Sequence, residues 1–200
     1  MTPKQFFKIT IPISLIFFIY FTYYFFVQEI NRPKLPVLGT VKPFTLSSSE
    51  NKLFHSDKLR GKVWIADFFF TTCSDICPMM TKHMASLHRT FELERDIDLV
   101  SFTVNPENDS PQALNDYAKK FNANTQKWFF LTGSREALTE VALKSFKLGD
   151  IKEPIFHSTY FTLVDRYGFI RGYYDGTQQE EVNRLFKDAA RLLKESRLGF

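Results

Sequence analysis

The sequence predicts an α/β domain in which helices cover both faces of a central sheet, preceded by a single N-terminal transmembrane helix. Short apolar runs of strand length alternate with amphipathic runs of helix length, a pattern typical of three-layer α/β proteins. A long uncharged run stands before the first of them. Two hundred residues are enough for one such domain and a short accessory segment.

The composition is that of a globular protein, with 44% hydrophobic and 24% charged residues. The formal net charge is +4, but residues 33–200 retain 23 of the 26 basic residues and 21 of the 22 acidic ones. These charges are interspersed, whereas a nucleic-acid-binding protein needs a concentrated positive surface to bind phosphates. The sequence therefore disfavours a nucleic-acid partner.

The first predicted element is a membrane anchor at residues 9–27, a run of nineteen residues without a charge. Its length is close to the roughly 20 residues that span a bilayer core. A cleaved signal peptide is one alternative, but the run is long for such a peptide and no small-residue cleavage site follows it. A helix in a soluble core is another alternative, although such a helix normally keeps a polar face.

The charges around this segment bear on its orientation. Residues 1–8 contain two lysines and are expected to be a short cytoplasmic N-terminus, which places the domain outside the cytoplasm. Arg32 and Lys34 lie just beyond the segment and weaken this asymmetry. Residues 28–42 contain two prolines and are predicted to be a tether, so the folded domain is expected over residues 43–200.

Five segments are predicted to be strands because they combine apolar or aromatic side chains with strand length. They are residues 62–70, 97–104, 127–131, 160–165 and 169–173. The first two are mostly apolar, as in central strands buried on both faces. The turn Arg166-Tyr167-Gly168 separates the last two, which are therefore predicted to form a hairpin.

Four segments are predicted to be helices from the spacing of their apolar residues and from their N-terminal signals. They cover residues 76–92, 110–121, 134–146 and 177 to about 196. Ser110 and Ser134 are predicted N-caps, and Thr177 with Glu180 is a predicted capping box. This order, ending in a hairpin and a helix, is the one expected of a thioredoxin-like three-layer sandwich.

The predicted chemistry lies in residues 71–78, which join the first long strand to the first helix and are called the cysteine loop below. In open α/β sheets, functional groups collect where the carboxyl ends of strands meet helix N-termini. Cys77 stands at the predicted start of the helix, where the dipole and unpaired N–H groups stabilise a thiolate. Three residues separate it from Cys73, which lets both sulfurs point at one centre. Two thiolates suit a soft ion such as Cu(I).

Other readings of the two cysteines remain open. A structural disulfide or a pair of buried thiols would not require a position between a strand end and a helix start. A structural zinc site normally has four ligands, and the chain has only two cysteines.

His157 is the candidate third ligand because it directly precedes the predicted strand at residues 160–165. In a thioredoxin-like fold, the loop entering that strand packs against the cysteine loop. The alternative is a loop histidine with only a packing role. The remaining histidines, His55, His83 and His88, are expected to be solvated. Among the methionines after the cysteines, Met80 and Met84 are expected in the core, and Met79 is left undecided.

Several segments together resemble the Sco/SenC family: residues 70–78, 104–109, 131–133, 157–158 and 163–165. The resemblance extends from about Gly39 to the C-terminus, and the N-terminal anchor is similar too. Proteins of this family bind copper and assist assembly of the dinuclear copper centre of cytochrome c oxidase. The resemblance implies that Cys73, Cys77 and His157 are copper ligands, with Cu(I) or Cu(II) as the bound ion.

Two departures from the family pattern affect these expectations. Asn105 and Asn108 stand where the family usually has aspartate and arginine, and the missing carboxylate bears on Cu(II) affinity or on partner docking. Ser74 stands where the family often has proline, which would make the cysteine loop less rigid. Neither change affects an expected ligand.

The resemblance implies a metallochaperone, not an enzyme, that delivers copper to the copper-centre subunit of cytochrome c oxidase, with another copper carrier as a further partner. The alternative is a membrane-anchored thiol–disulfide oxidoreductase acting on cysteines of that subunit or of other exported proteins. Cys73 would then attack and Cys77 would resolve the mixed disulfide. A peroxiredoxin-like peroxidase fits less well. The domain is expected in a bacterial periplasm or the mitochondrial intermembrane space.

Overall fold

The computed structural model describes residues 15, 17–24, 27, 33–74, 76–148 and 158–197. The chain divides into two units, Met1–Lys34 and Leu35–Phe200. In the first unit, residues 17–24 are helical. Among the described residues, no helix is both long enough and apolar enough to cross a membrane. The predicted anchor at residues 9–27 lies partly outside the described residues and stays a prediction.

The described part of the second unit contains an eight-stranded mixed sheet. In chain order, its strands are β1 (Gly39–Thr40), β2 (Thr45–Ser48), β3 (Leu53–His55), β4 (Val63–Phe69), β5 (Ile97–Thr103), β6 (Trp128–Thr132), β7 (Tyr160–Val164) and β8 (Phe169–Asp175). Their order across the sheet is β1-β8-β7-β4-β5-β6-β2-β3. The pairs β4–β5 and β5–β6 are parallel, and the other pairs are antiparallel.

The helices of this unit are α1 (Ile76–Thr90), α2 (Pro111–Lys120), α3 (Arg135–Glu140) and α4 (Gln179–Arg197). The side chains of Ser110 and Ser134 accept hydrogen bonds at the N-termini of α2 and α3, as predicted. A π-helical turn at Val141–Ser145 follows α3 directly. Thr177 donates from its hydroxyl to Asp175 at 2.7 Å, just before α4 begins.

Two apolar clusters cover the two faces of the sheet. One contains side chains from α1, α2 and α4, and the other contains side chains from α3 and the strands β2 and β3. Every residue of β4 and β5 is buried, as the apolar runs predicted. The α/β class is thus confirmed, and the arrangement is consistent with the predicted thioredoxin-like sandwich.

The predicted hairpin between β7 and β8 is present. Asp165 N donates to Phe169 O at 2.9 Å, and Gly168 N donates to Asp165 O at 3.0 Å. The φ angle of Gly168 is 83°, a left-handed conformation that glycine adopts without the steric cost of a Cβ atom. The turn therefore depends on a glycine at this position.

The folded unit begins earlier than the sequence predicted. The predicted tether includes residues 35–42, but within them β1 pairs with β8 at the edge of the sheet. Arg171 also donates to the carbonyl oxygens of Leu35 and Pro36. Two-residue strands have no recognisable periodicity, so this edge pairing was not visible in the sequence.

Candidate metal centre

The two cysteines lie where β4 gives way to α1. Cys77 is the second residue of α1 and is buried in the apolar cluster that includes Phe69 and Met80. Cys73 is partly exposed in the loop before it. Both are thiols, and a hydrogen bond links them. The two sulfur atoms are therefore close enough to bind one ion.

The protonation of Cys77 differs from the sequence-based expectation. Burial raises the pKa of its thiol to about 12, and the hydrogen bond with Cys73 acts in the same direction. A backbone hydrogen bond with Phe70 lowers the pKa but is the smaller effect. The helix N-terminus was expected to favour the thiolate, whereas burial of the sulfur disfavours it because a charged thiolate loses its solvent.

A second loop holds the start of the cysteine loop. Asp109 is fully buried after β5 and accepts hydrogen bonds from the backbone N–H and the hydroxyl of Thr71. The hydroxyl of Thr103 donates to the same carboxylate at 2.5 Å. Sequence reasoning did not single out Asp109, although it closes one of the segments that carried the family resemblance.

Asp67 is a further buried acid on this side of the sheet. It is 2% exposed, and its charge would disfavour a thiolate at Cys77. Burial raises the pKa of its carboxyl group to about 7, against the smaller effect of the hydrogen bond from Ser101. The available sequence signal was one acidic residue within the otherwise apolar run of β4.

His157, the predicted third ligand, lies outside the described residues. The described chain resumes at Ser158, and Gly176 N donates to Thr159 O at 2.7 Å. Gly176 O is in turn 2.8 Å from Nδ1 of His83, which belongs to α1. The strand that follows His157 is thus tied to the helix that carries Cys77. In the described part of the chain, no three His, Cys, Asp or Glu side chains form a metal-binding group.

The expectation that the other histidines are solvated was wrong for His88. This residue is 4% exposed, and its Nε2 accepts a hydrogen bond of 3.2 Å from Asn124 N. Burial lowers the pKa of the ring. His83 is half-buried through its bond to Gly176, whereas His55 is exposed as expected.

Two of the methionines in α1, Met80 and Met84, agree with the predictions made for them, and the position of Met79 had been left undecided. Met80 and Met84 are buried in the cluster that contains Cys77. Met79 is 39% exposed, so it lies at the surface near the start of α1.

The two asparagines that depart from the family pattern contact each other. Asn108 Nδ2 donates to Asn105 Oδ1 at 3.2 Å. Glu107 between them forms a two-point ion pair with Arg135 at the start of α3, including a contact of 2.7 Å to Nε. The side-chain oxygen of Asn105 therefore accepts a hydrogen bond from a neutral amide. The family pattern has a carboxylate at this position.

The chain matches a known protein family and a known relative. The family model described as SCO1/SenC matches residues 35–194. The SCO1 protein homolog of Bacillus subtilis is 37% identical over 162 residues, which cover 78% of this chain and 83% of the relative.

Two solved structures of Sco proteins are also similar to this chain. BsSco, a member of the Sco family of cytochrome c oxidase assembly proteins in which a disulfide switch has been identified, is 36% identical with a TM-score of 0.71. The match covers 81% of this chain and 98% of BsSco. Arabidopsis thaliana ScoI with copper bound is 26% identical with a TM-score of 0.62, over 77% of this chain and 99% of that one.

Proposed function

The chain belongs to the SCO1/SenC family, and on this premise we propose that it is a metallochaperone delivering copper to the dinuclear copper site of cytochrome c oxidase. The observation that carries the proposal is the hydrogen-bonded pair of thiols, Cys73 and Cys77, between β4 and α1. The copper bound to a structural relative and the assembly role of the Sco family support it.

The donor atoms fit copper as a cargo. Cu(I) is a soft ion that prefers sulfur ligands, and this site offers two adjacent sulfur atoms. The proton of the buried Cys77 thiol is held tightly, so copper must displace it on binding, and release of copper returns it. Cys73 is the more exposed sulfur, which makes it the atom through which an incoming ligand of the partner could reach the ion.

His157 is proposed as the third ligand. The support lies in the family resemblance and in the attachment of Thr159 to α1 through Gly176 and His83. An imidazole would supply a nitrogen donor of intermediate softness, which helps the same site accept Cu(II).

The alternative function is a thiol–disulfide oxidoreductase, favoured by the unequal exposure of the two sulfurs. The Cys73 thiolate would attack a substrate disulfide and release the first substrate thiolate. Cys77 would then lose its proton and attack the Cys73 sulfur, which forms the Cys73–Cys77 disulfide and releases the second thiolate. The protein loses two electrons in this reaction, so an external dithiol must reduce it for another cycle.

The proposed location follows from the anchor. Residues 9–27 would hold the chain in the membrane, and the domain would face the periplasm or the intermembrane space, where the copper-centre subunit of the oxidase exposes its metal site. Another copper carrier would supply the ion.

The proposal is tested by loading the reduced full chain, in detergent, with Cu(I) under anaerobic conditions. We expect one copper ion per chain and protection of both thiols from alkylation, and we expect Cys73→Ser and Cys77→Ser each to lose the ion. His55→Ala changes an exposed histidine and serves as the control. Stoichiometric copper with both thiols still open to alkylation would refute the site.

A further inference from the structure

The start of the cysteine loop is held by a single buried carboxylate. Asp109 has no solvent exposure, and it lies in the loop that leaves β5, next to the end of β4. The backbone of the two strands stays paired to this point, since Val104 N donates to Phe69 O at 2.9 Å. The strand β4 ends at Phe69. Beyond it, hydrogen bonds to Asp109 hold the chain in place of strand pairing.

Both carboxylate oxygens of Asp109 have donors. Thr71 N lies 3.3 Å and 3.1 Å from Oδ1 and Oδ2, and the Thr71 hydroxyl lies 2.5 Å from Oδ1. The Thr103 hydroxyl donates to Oδ2 at 2.5 Å, and its oxygen accepts a bond of 3.0 Å from Asn105 N. The carboxylate thus joins the cysteine loop to β5 and to the loop after it.

These contacts are strong enough to determine where the loop lies. A buried carboxylate is costly unless donors surround it, and hydrogen bonds to a charged acceptor are stronger than those between neutral groups. If Thr71 moved away, Asp109 would lose donors that buried surroundings cannot replace. The position of Thr71 is therefore closely fixed, and Cys73 follows two residues later with its N–H bonded to Phe70 O at 3.2 Å.

We propose that Asp109 is a positioning residue for the copper site: through Thr71 it holds Cys73 beside Cys77 before an ion arrives. This inference rests on the proposed copper-binding function and adds to it a residue outside the ligand set. Cys77 is fixed by α1, whereas Cys73 lies in a loop. Without the attachment to Asp109, the loop would populate other conformations, and the apparent affinity for copper would fall with the competent fraction.

The test uses the Thr71 side chain, because Asp109→Ala would leave several buried donors unpaired and could prevent folding. Thr71→Val replaces only the hydroxyl group, with a methyl group, whereas Thr71→Ser keeps the hydroxyl group. Thr103→Val is the control, since it removes a donor of Asp109 that belongs to β5, together with the acceptor of Asn105 N, and leaves the bonds to Thr71 in place. All variants are compared as full chains in detergent, with Cu(I) affinity measured by competition against a chromophoric chelator.

We expect Thr71→Val to weaken Cu(I) binding about tenfold, the effect of about 1.4 kcal/mol, comparable to one hydrogen bond to a charged group. Thr71→Ser should bind as the unmodified protein does, and Thr103→Val should lower the melting temperature while changing affinity less than about twofold. A lower melting temperature of Thr71→Val with unchanged affinity would overturn the proposal. Equal losses of affinity in Thr71→Val and Thr103→Val would also overturn it.

A second measurement separates this inference from the copper-binding proposal. Oxidised glutathione converts the Cys73 and Cys77 thiols into a disulfide and is itself reduced to two glutathione thiols, so the equilibrium constant reports how often the sulfurs meet. Thr71→Val should lower this constant about tenfold. If the unmodified protein binds no copper but this shift occurs, the metallochaperone fails and the positioning role stands; no shift would refute the positioning role.

Discussion

The hydroxyl group of Ser101 donates a hydrogen bond of 2.5 Å to the carboxyl group of Asp67. The two residues face each other in register on β5 and β4, and Trp128 Nε1 donates to the Ser101 oxygen at 2.8 Å. This polar chain lies within the sheet and is buried throughout. Burial raises the pKa of Asp67 from 3.8 to about 7, because loss of solvent outweighs the hydrogen bonds that stabilise the charged form.

The first prediction concerns stability against pH. The unfolded chain releases the Asp67 proton near its ordinary pKa, whereas the folded chain retains it up to about pH 7. The protonated carboxyl group therefore contributes fully to the free energy of unfolding below about pH 4. This contribution is lost as the pH rises to 7, by at most about 1.4 kcal/mol per pH unit. Asp67→Asn cannot ionise and keeps an acceptor for Ser101.

The free energy of unfolding of Asp67→Asn, relative to the unmodified protein, should therefore increase between pH 4 and 7 and level off above. Urea unfolding at several pH values measures this difference. Ser101→Ala removes the hydrogen bond that lowers the Asp67 pKa. In that variant, the pH range over which stability is lost should therefore extend to higher pH. A difference that stays constant with pH would show that Asp67 is ionised in the folded protein.

Local sequence signals predicted much of this architecture. The strands β4 and β5 and the helix α1 have long apolar patterns, so their positions agree with the structure to within one or two residues. The short strands β1, β2 and β3, of which β1 and β3 form the edges of the sheet, have two to four residues each. Segments of this length contain too few side chains for a period to be recognised, and they form because neighbouring strands offer unpaired backbone groups.

The missed features of the site arise from tertiary contacts. The bonds of Asp109 to Thr71 span 38 positions, and no spacing rule connects such residues. The helix N-terminus at Cys77 is a local feature and was predicted, but the burial that raises the Cys77 pKa depends on side chains from other elements. His88 was misassigned because it follows Met84 by four residues and therefore lies on the same face of α1 as Met84 and Cys77, which is the buried face.

The second prediction concerns Asn105. An aspartate here can still accept the hydrogen bond of Asn108, so Asn105→Asp should fold normally. A carboxylate is a hard ligand and favours the harder ion, so we expect stronger Cu(II) retention and nearly unchanged Cu(I) affinity. Asn108→Asp adds the same charge three residues later and controls for net charge. Unchanged Cu(II) affinity in Asn105→Asp would assign the position to docking or to no role at the metal.

The third prediction concerns topology. If residues 9–27 anchor the chain with its N-terminus inside, a reporter fused after Phe200 should be active only on the exported side of the membrane. Deletion of residues 1–32 should abolish export of the same fusion. Activity in the cytoplasm would contradict the orientation, and with it the delivery of copper to an oxidase subunit on the outer side.

The last prediction separates the two candidate functions through His157. His157→Ala removes a proposed nitrogen ligand and leaves Cys73, Cys77 and the hydrogen bond between their sulfurs in place. A copper carrier should then lose Cu(II) binding by at least about tenfold, hold Cu(I) more weakly and fail to support oxidase assembly. The dithiol should still form a disulfide and reduce a model substrate, because thiol exchange depends on the pKa and access of the sulfurs.

The outcome in cells decides between the functions because the imidazole has a role in only one of them. A thiol–disulfide oxidoreductase needs no third ligand, so His157→Ala would then support oxidase assembly nearly normally, whereas Cys73→Ser would abolish assembly under either function. His55→Ala, which changes an exposed histidine bonded to Thr45 at 3.0 Å, controls for the loss of an imidazole elsewhere. Unchanged binding of both copper ions by His157→Ala would mean that His157 only packs in its loop, and the two sulfurs would have to account for copper binding without it.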